Sequence, residues 1–144
     1  MKFLNLMMLM GMMALSHAAF AVDTPDKLEG CKVVTASEAQ ALMGKGAKLF
    51  DVRVATEYAE EHIKGAVSVP YAEKSKKEVA FDSALDSFDD TKIPASNMIF
   101  QCNGIECWKS LKACKWANKK GKKDLYWFRG GIPEWKAKNL PTEK

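Results

Sequence analysis

The chain has 144 residues and a formal net charge of +4 at neutral pH, which is length for one ordinary domain with a real hydrophobic core and only a mild basic excess. The lysines are scattered or grouped in polar loops such as Lys119-Lys120-Gly121-Lys122-Lys123, with no basic stripe interleaved with aromatics, so nucleic acid is excluded as a partner. Two cysteines separated by four residues, with His62 the only histidine past residue 21, do not make a zinc ligand set, and no metal is expected.

Lys2 is followed by Phe3 to Leu15, rich in Leu and Met, and then by Ala19-Phe20-Ala21. A basic start, a short apolar core and a small-x-small site make a secretory signal over residues 1–21, cleaved after Ala21. Asn5, Ser16 and His17 interrupt the run and leave it short of the roughly 20 apolar residues of a spanning helix. The mature protein is expected to be exported, which points to the bacterial periplasm, and to have no membrane association after cleavage. Losing Lys2 lowers its charge to +3.

Residues 22–32 read as a leader, polar and loose through Gly30, and residues 33–140 as the domain. Cys31 to Val34 suits a short first strand. Thr35 or Ser37 can cap a helix through Met43, ended by Gly44 and Gly46. Lys48 to Arg53 is an apolar strand with a charged end, Ala55 to His62 a short helix, and Gly65 to Pro70 a strand stopped by its proline. Tyr71 to Phe81 and Ser83 to Phe88 can each be drawn as a short amphipathic helix, with a polar turn over Asp89 to Pro94. Met98-Ile99-Phe100 is a buried strand, and helical spacing resumes at Trp108. Gly121 breaks that helix, Asp124 to Phe128 gives another strand, Gly130-Gly131 a tight turn, and Ile132 to Lys136 opens a last helix with Pro133 in its first turn. Short strands alternating with helices indicate an α/β domain with a mainly parallel sheet, whose ligands bind beyond the carboxyl ends of the strands.

Cys102 lies at such an end, between a strand and the start of a helix. Unpaired backbone N–H groups there favour a thiolate, a persulfide or a sulfur oxyanion, and a cysteine so placed is a usable nucleophile. Asn103 and Gly104 permit unusual backbone angles, so the loop to Cys107 can wrap round a central atom. Cys114, inside the helix, reads instead as a small buried hydrophobe. Four cysteines in an exported chain allow three complete pairings, among which the sequence does not choose, and a domain this rich in apolar residues does not need a disulfide framework.

In order along the chain, Asp51-Val52-Arg53, Glu57-Tyr58, His62 to Pro70, a cysteine loop between strand and helix, and Arg129-Gly130-Gly131-Ile132-Pro133-Glu134-Trp135 together resemble the rhodanese (sulfurtransferase) domain over residues 33–140, closest to its small, single-domain, exported members. The resemblance implies an α/β fold of rhodanese type, a mainly parallel central sheet with helices on both faces. It implies that Cys102 is the persulfide-forming residue and that Asn103, Gly104, Ile105, Glu106 and Cys107 form the loop whose amides cradle the sulfur. Asp51, Arg53, His62 and Gly65 match scaffold positions. Where many family loops carry arginines, this one has Asn103 and Cys107, and Glu106 adds a negative charge, so anion binding falls to backbone amides, helical charge, Lys109 and Arg129.

The expected function is a sulfurtransferase of the thiosulfate type. Cys102 thiolate takes the outer sulfur of a small anionic donor such as thiosulfate, keeps it as a persulfide and passes it to a thiol or cyanide acceptor, with no organic cofactor or metal. Cys107 is the candidate resolving thiol: attack on the persulfide would release sulfide and leave a Cys102–Cys107 disulfide, making a thiol-disulfide redox protein the alternative, with a redox protein as partner. A third reading is a non-catalytic binding module, with Trp108, Trp116, Trp127 and Trp135 as candidates for an exposed patch.

Overall fold

In a computed structural model of the chain, the described residues are 22–78 and 82–144; the expected signal segment, residues 1–21, lies outside them. The elements run β1 (Lys32–Val33), α1 (Ala36–Gly44), β2 (Lys48–Asp51), α2 (Ala55–Glu60), β3 (His62–Ile63) and β4 (Val67–Ser68). After a long connection come β5 (Ser96–Gln101), α3 (Trp108–Lys119), β6 (Lys123–Phe128), α4 (Gly131–Ala137) and β7 (Thr142–Glu143). Five strands form one parallel sheet in the order β1-β6-β5-β2-β4, and β3 pairs antiparallel with β7 in a separate two-stranded sheet.

Both faces of the main sheet are covered, which is why its strands are almost continuously apolar. Successive side chains alternate: Phe50, Met98, Phe100, Leu125 and Trp127 join one core with Trp108, Leu111 and Trp116 of α3. Leu49, Ile99 and Phe128 face the other way into a second core, with Ala36 and Ala39 of α1 and Ile132 and Trp135 of α4. All four tryptophans are buried, so they build the core and do not form the exposed patch of the binding-module reading.

The α1 start is a full capping box: Thr35 Oγ1 accepts from the Glu38 amide and the Glu38 carboxylate accepts from the Thr35 amide. In β2, β5 and β6, Asp51, Gln101 and Phe128 are register partners, so the three central strands end level. The segments that follow them, around Arg53, Cys102 and Arg129-Gly130-Gly131, therefore gather at one edge.

Three expectations are corrected. No helix forms over residues 71–78 or 83–88, the residues between them, 79–81, lying outside the described set; this stretch doubles back on itself, with Ala72 and Ser87 exchanging both backbone hydrogen bonds. Its amphipathic spacing serves a different arrangement. The Tyr71 and Phe88 rings stack at 5.3 Å with Phe88 edge-on to Trp116, while the polar middle wraps a buried lysine described below. The leader is not loose: Thr24 is buried, and Val22 O accepts from the Trp108 indole N–H. Cys114 is not a free hydrophobe but is joined to Cys31, the two α-carbons 6.3 Å apart, tying the leader's end to the middle of α3.

Candidate functional site

Cys102 follows the last residue of β5 and is only 1% exposed. Its carbonyl accepts from the Ile132 amide at 3.1 Å, and that same amide reaches the Gln101 side-chain oxygen at 3.0 Å. The start of α4 is thus clamped to the end of β5. The clamp requires glycine at position 131, whose φ is +58° and where a β-carbon would lie 2.2 Å from the Cys102 carbonyl oxygen. Gln101 Nε2 is buried with no hydrogen-bond partner among the described residues.

From Cys102 the chain turns through Gly104, at φ +110°, to Cys107, whose amide donates to Gly104 O at 3.0 Å. Among the described residues no acceptor takes the amide N–H groups of Asn103, Gly104, Ile105 or Glu106. The loop is held from outside. The Asn103 side chain donates to Glu57 at 2.8 Å, and Ile105 O accepts from both the amide and the hydroxyl of Thr24. Cys102 and Cys107 are joined by a disulfide with α-carbons 6.1 Å apart, and Cys107 is the N-cap of α3, where it makes no side-chain capping bond. The five expected loop residues and Cys102 therefore lie together in one turn.

Beside Cys107 lies a groove of about 330 Å³ lined by Glu73, Lys77, Asn103, Glu106, Cys107, Trp108 and Lys109. Of the two cations expected to serve an anion, Lys109 reaches this groove. Arg129 instead spends its guanidinium on Thr24, donating to the hydroxyl at 3.1 Å and the carbonyl at 2.5 Å. A wider groove of about 790 Å³ is lined by Arg53, Glu57, Glu61, Pro133 and Lys136 among others. There Arg53 is bound to Asp51 and Lys136 to Glu61.

The segment that brings Glu73 and Lys77 to the Cys107 groove is anchored on Lys112 of α3, whose side chain is fully buried. Its ammonium pairs with Glu73 at 2.7 Å and donates to Ser75 Oγ at 2.7 Å and Lys76 O at 2.9 Å, with Asp86 at 3.8 Å. Burial alone would raise the Asp86 pKa. The Ser75 hydroxyl, the Ser75 and Lys74 amides and the Tyr71 hydroxyl all donate to the carboxylate and hold it well below the usual range. Tyr71 moves the opposite way: burial, then its bond to Asp86, pushes its phenol well above the ordinary value.

Asp51, Arg53 and His62 are each engaged within the fold. Asp51 is fully buried, accepts from the Arg53 amide and pairs with its guanidinium at 2.6 Å, while Arg53 Nη2 also reaches Glu61 O, joining the ends of β2 and α2. His62 is on β3; its Nδ1 is 2.8 Å from Tyr58 O, its ring stacks on Tyr58 at 3.8 Å, and Nε2 faces Glu143 at 3.5 Å. Those contacts account for both ring nitrogens. Thr24, Gln101 and Lys112 carry no signal in the sequence that marks them for the site. Gly131 is marked there as one of a glycine pair at a turn and as part of the Arg129-to-Trp135 motif.

The family model described as Rhodanese-like domain matches residues 35–138. Among solved structures, the rhodanese-like domain of a protein from Anabaena sp. is 23% identical with a TM-score of 0.55, covering 81% of this chain and 80% of that one. A polysulfide-sulfur transferase homodimer from Wolinella succinogenes is 18% identical with a TM-score of 0.56, covering 79% of each. A thiosulfate sulfurtransferase from Pseudomonas aeruginosa is 21% identical with a TM-score of 0.53 over 78% of this chain and 20% of that one. Similarity at this level is one of fold. No match is found among the curated proteins. With the family model matching residues 35–138, well over half of the chain, the chain belongs to the rhodanese-like domain family.

Proposed function

We propose that the protein is a sulfurtransferase that carries sulfane sulfur on Cys102. Cys102 thiolate attacks the outer sulfur of thiosulfate, the S–S bond of the donor breaks with its electron pair leaving on sulfite, and the sulfur stays as a Cys102 persulfide. A thiolate or cyanide then attacks that outer sulfur and restores the Cys102 thiolate. The observation that carries this reading is the run of four unengaged amide N–H groups, from Asn103 to Glu106, next to a buried cysteine at the end of the central strand. Backbone donors fixed in advance stabilise an anionic sulfur without needing the arginines that this loop lacks. Two fold neighbours, a thiosulfate sulfurtransferase and a polysulfide-sulfur transferase, support the reaction class.

We further propose that the protein works in an oxidising exported compartment, the periplasm, after removal of residues 1–21. Two disulfides among the described residues favour such a compartment. Thiocyanate release from thiosulfate and cyanide by the reduced protein tests the main reading. Native protein should turn over and the Cys102→Ser variant should not; a Cys102→Ser variant that turns over at the native rate would refute it.

One observation favours a second reading beside it. The Cys102–Cys107 disulfide is the product expected if Cys107 thiolate attacks the persulfide at Cys102 Sγ and expels hydrosulfide. The site would then convert sulfane sulfur to sulfide at the expense of two thiol equivalents supplied by a redox partner. Sulfide release from the loaded native protein, absent in Cys107→Ser, is the expected result.

A further inference from the structure

The two cysteines of the Cys102–Cys107 disulfide are unequally exposed. Cys102 is closed in by the β5 end and by the α4 start, against which its carbonyl is clamped. Cys107 is partly exposed and lines the 330 Å³ groove. Displacement at a disulfide needs the nucleophile in line with the breaking bond, on the far side of the attacked sulfur from the leaving one. Access therefore selects which sulfur is attacked.

Charge in the groove favours an anionic attacker. Glu73 is engaged by Lys112, which also faces Asp86 at 3.8 Å, and the remaining charges beside Cys107 are Lys77 and Lys109 against the carboxylate of Glu106. The first turn of α3, with Cys107 as its N-cap and no side chain capping it, adds the positive end of a 12-residue helix.

We propose that the groove is the binding site for a small anionic sulfur nucleophile, a sulfite or a thiolate, which opens the oxidised site at Cys107 and frees Cys102 first. With sulfite, its sulfur lone pair forms a bond to Cys107 Sγ, the Cys102–Cys107 bond breaks, and the electron pair leaves as Cys102 thiolate. Cys107 becomes an S-sulfonate. With a thiolate the product is a mixed disulfide on Cys107. A second thiolate displaces the Cys107 thiolate, so two thiols are oxidised to their disulfide as the protein disulfide is reduced. Cys107 is then the point at which reducing equivalents enter, and not only the residue that resolves a persulfide. This rests on the disulfide reading above and on Cys102 as the sulfur carrier.

The test reacts the oxidised full chain with sulfite under native conditions, quenches with N-ethylmaleimide and maps the peptides. The expected result is S-sulfonate on Cys107, maleimide on Cys102 and an intact Cys31–Cys114 pair. S-sulfonate on Cys102, an equal mixture, no cleavage, or oxidised protein lacking the Cys102–Cys107 linkage would each overturn the proposal. Sulfur loading of reduced protein is measured separately and can succeed whichever way this comes out, so the two failures are distinguishable. A Lys77→Gln, Lys109→Gln double variant should be cleaved by sulfite about fivefold more slowly, with cleavage by a neutral phosphine unchanged. Equal rates with sulfite, or equal slowing with both reagents, would overturn the charge assignment.

Discussion

Replacing Lys112 by methionine keeps the length of the side chain inside α3 and removes its charge. Four partners lose their cation: Glu73 and Ser75 Oγ at 2.7 Å, Lys76 O at 2.9 Å and Asp86 at 3.8 Å. Breaking a buried pair from one side leaves the other charge uncompensated, which costs about 3–5 kcal/mol. Asp86 keeps four donors of its own and Glu73 is close enough to the surface to regain some water, so the lower end, about 3 kcal/mol, is expected. Urea unfolding should show it as a midpoint lowered by about 1–2 M. A double-mutant cycle with Glu73→Gln isolates the pair, and a coupling of about 1–3 kcal/mol is expected for residues in direct contact. A loss under about 1 kcal/mol, or strict additivity in the cycle, would refute the view that this ion network pins residues 73–76 and Asp86 to the helix.

Other perturbations follow from the same contacts. Gly131→Ala must move the Cys102 carbonyl, which its β-carbon would approach to 2.2 Å, at a backbone angle costly for alanine; a loss of about 2 kcal/mol in thermal unfolding and much slower sulfur loading of Cys102 are expected. Asp86 binds its proton more weakly in the folded than in the unfolded chain, so its contribution is complete above its ordinary pKa of 3.8 and is lost as pH falls through the lowered folded value. Acid titration of unfolding free energy should steepen below that point, and Asp86→Asn should flatten it. The Cys31–Cys114 bond spans 83 residues, and closing a loop of that length stabilises by about 4.5 kcal/mol. The Cys31→Ala, Cys114→Ala variant should therefore melt about 15 °C lower, with Cys102 loading retained once folded.

The parallel sheet was legible because its strands carry apolar residues on both faces and end at glycines, charges or a helix cap. The cysteine loop was legible for a related reason: a strand end, Asn103-Gly104 and a helix start fix its backbone locally. What escaped the sequence depends on partners far apart in the chain. Asp86 and Lys112 are separated by a strand and most of a loop, and the spacing of Tyr71 and Phe88 suits a helix as well as it suits two rings stacking across a folded-back segment. Cys31 and Cys114 meet only once β1 has paired with β6 and α3 has covered that edge. Arg129 could serve an anion by its position in the chain, yet Thr24, in what reads as a polar leader, occupies its guanidinium.

Whether Cys102 carries sulfur is read from the intact mass of the reduced protein before and after thiosulfate, with peptide mapping. A gain of one sulfur on the Cys102 peptide, and none in Cys102→Ser, is expected. No gain in the native protein, or a gain on another residue, would contradict Cys102 as the sulfur carrier.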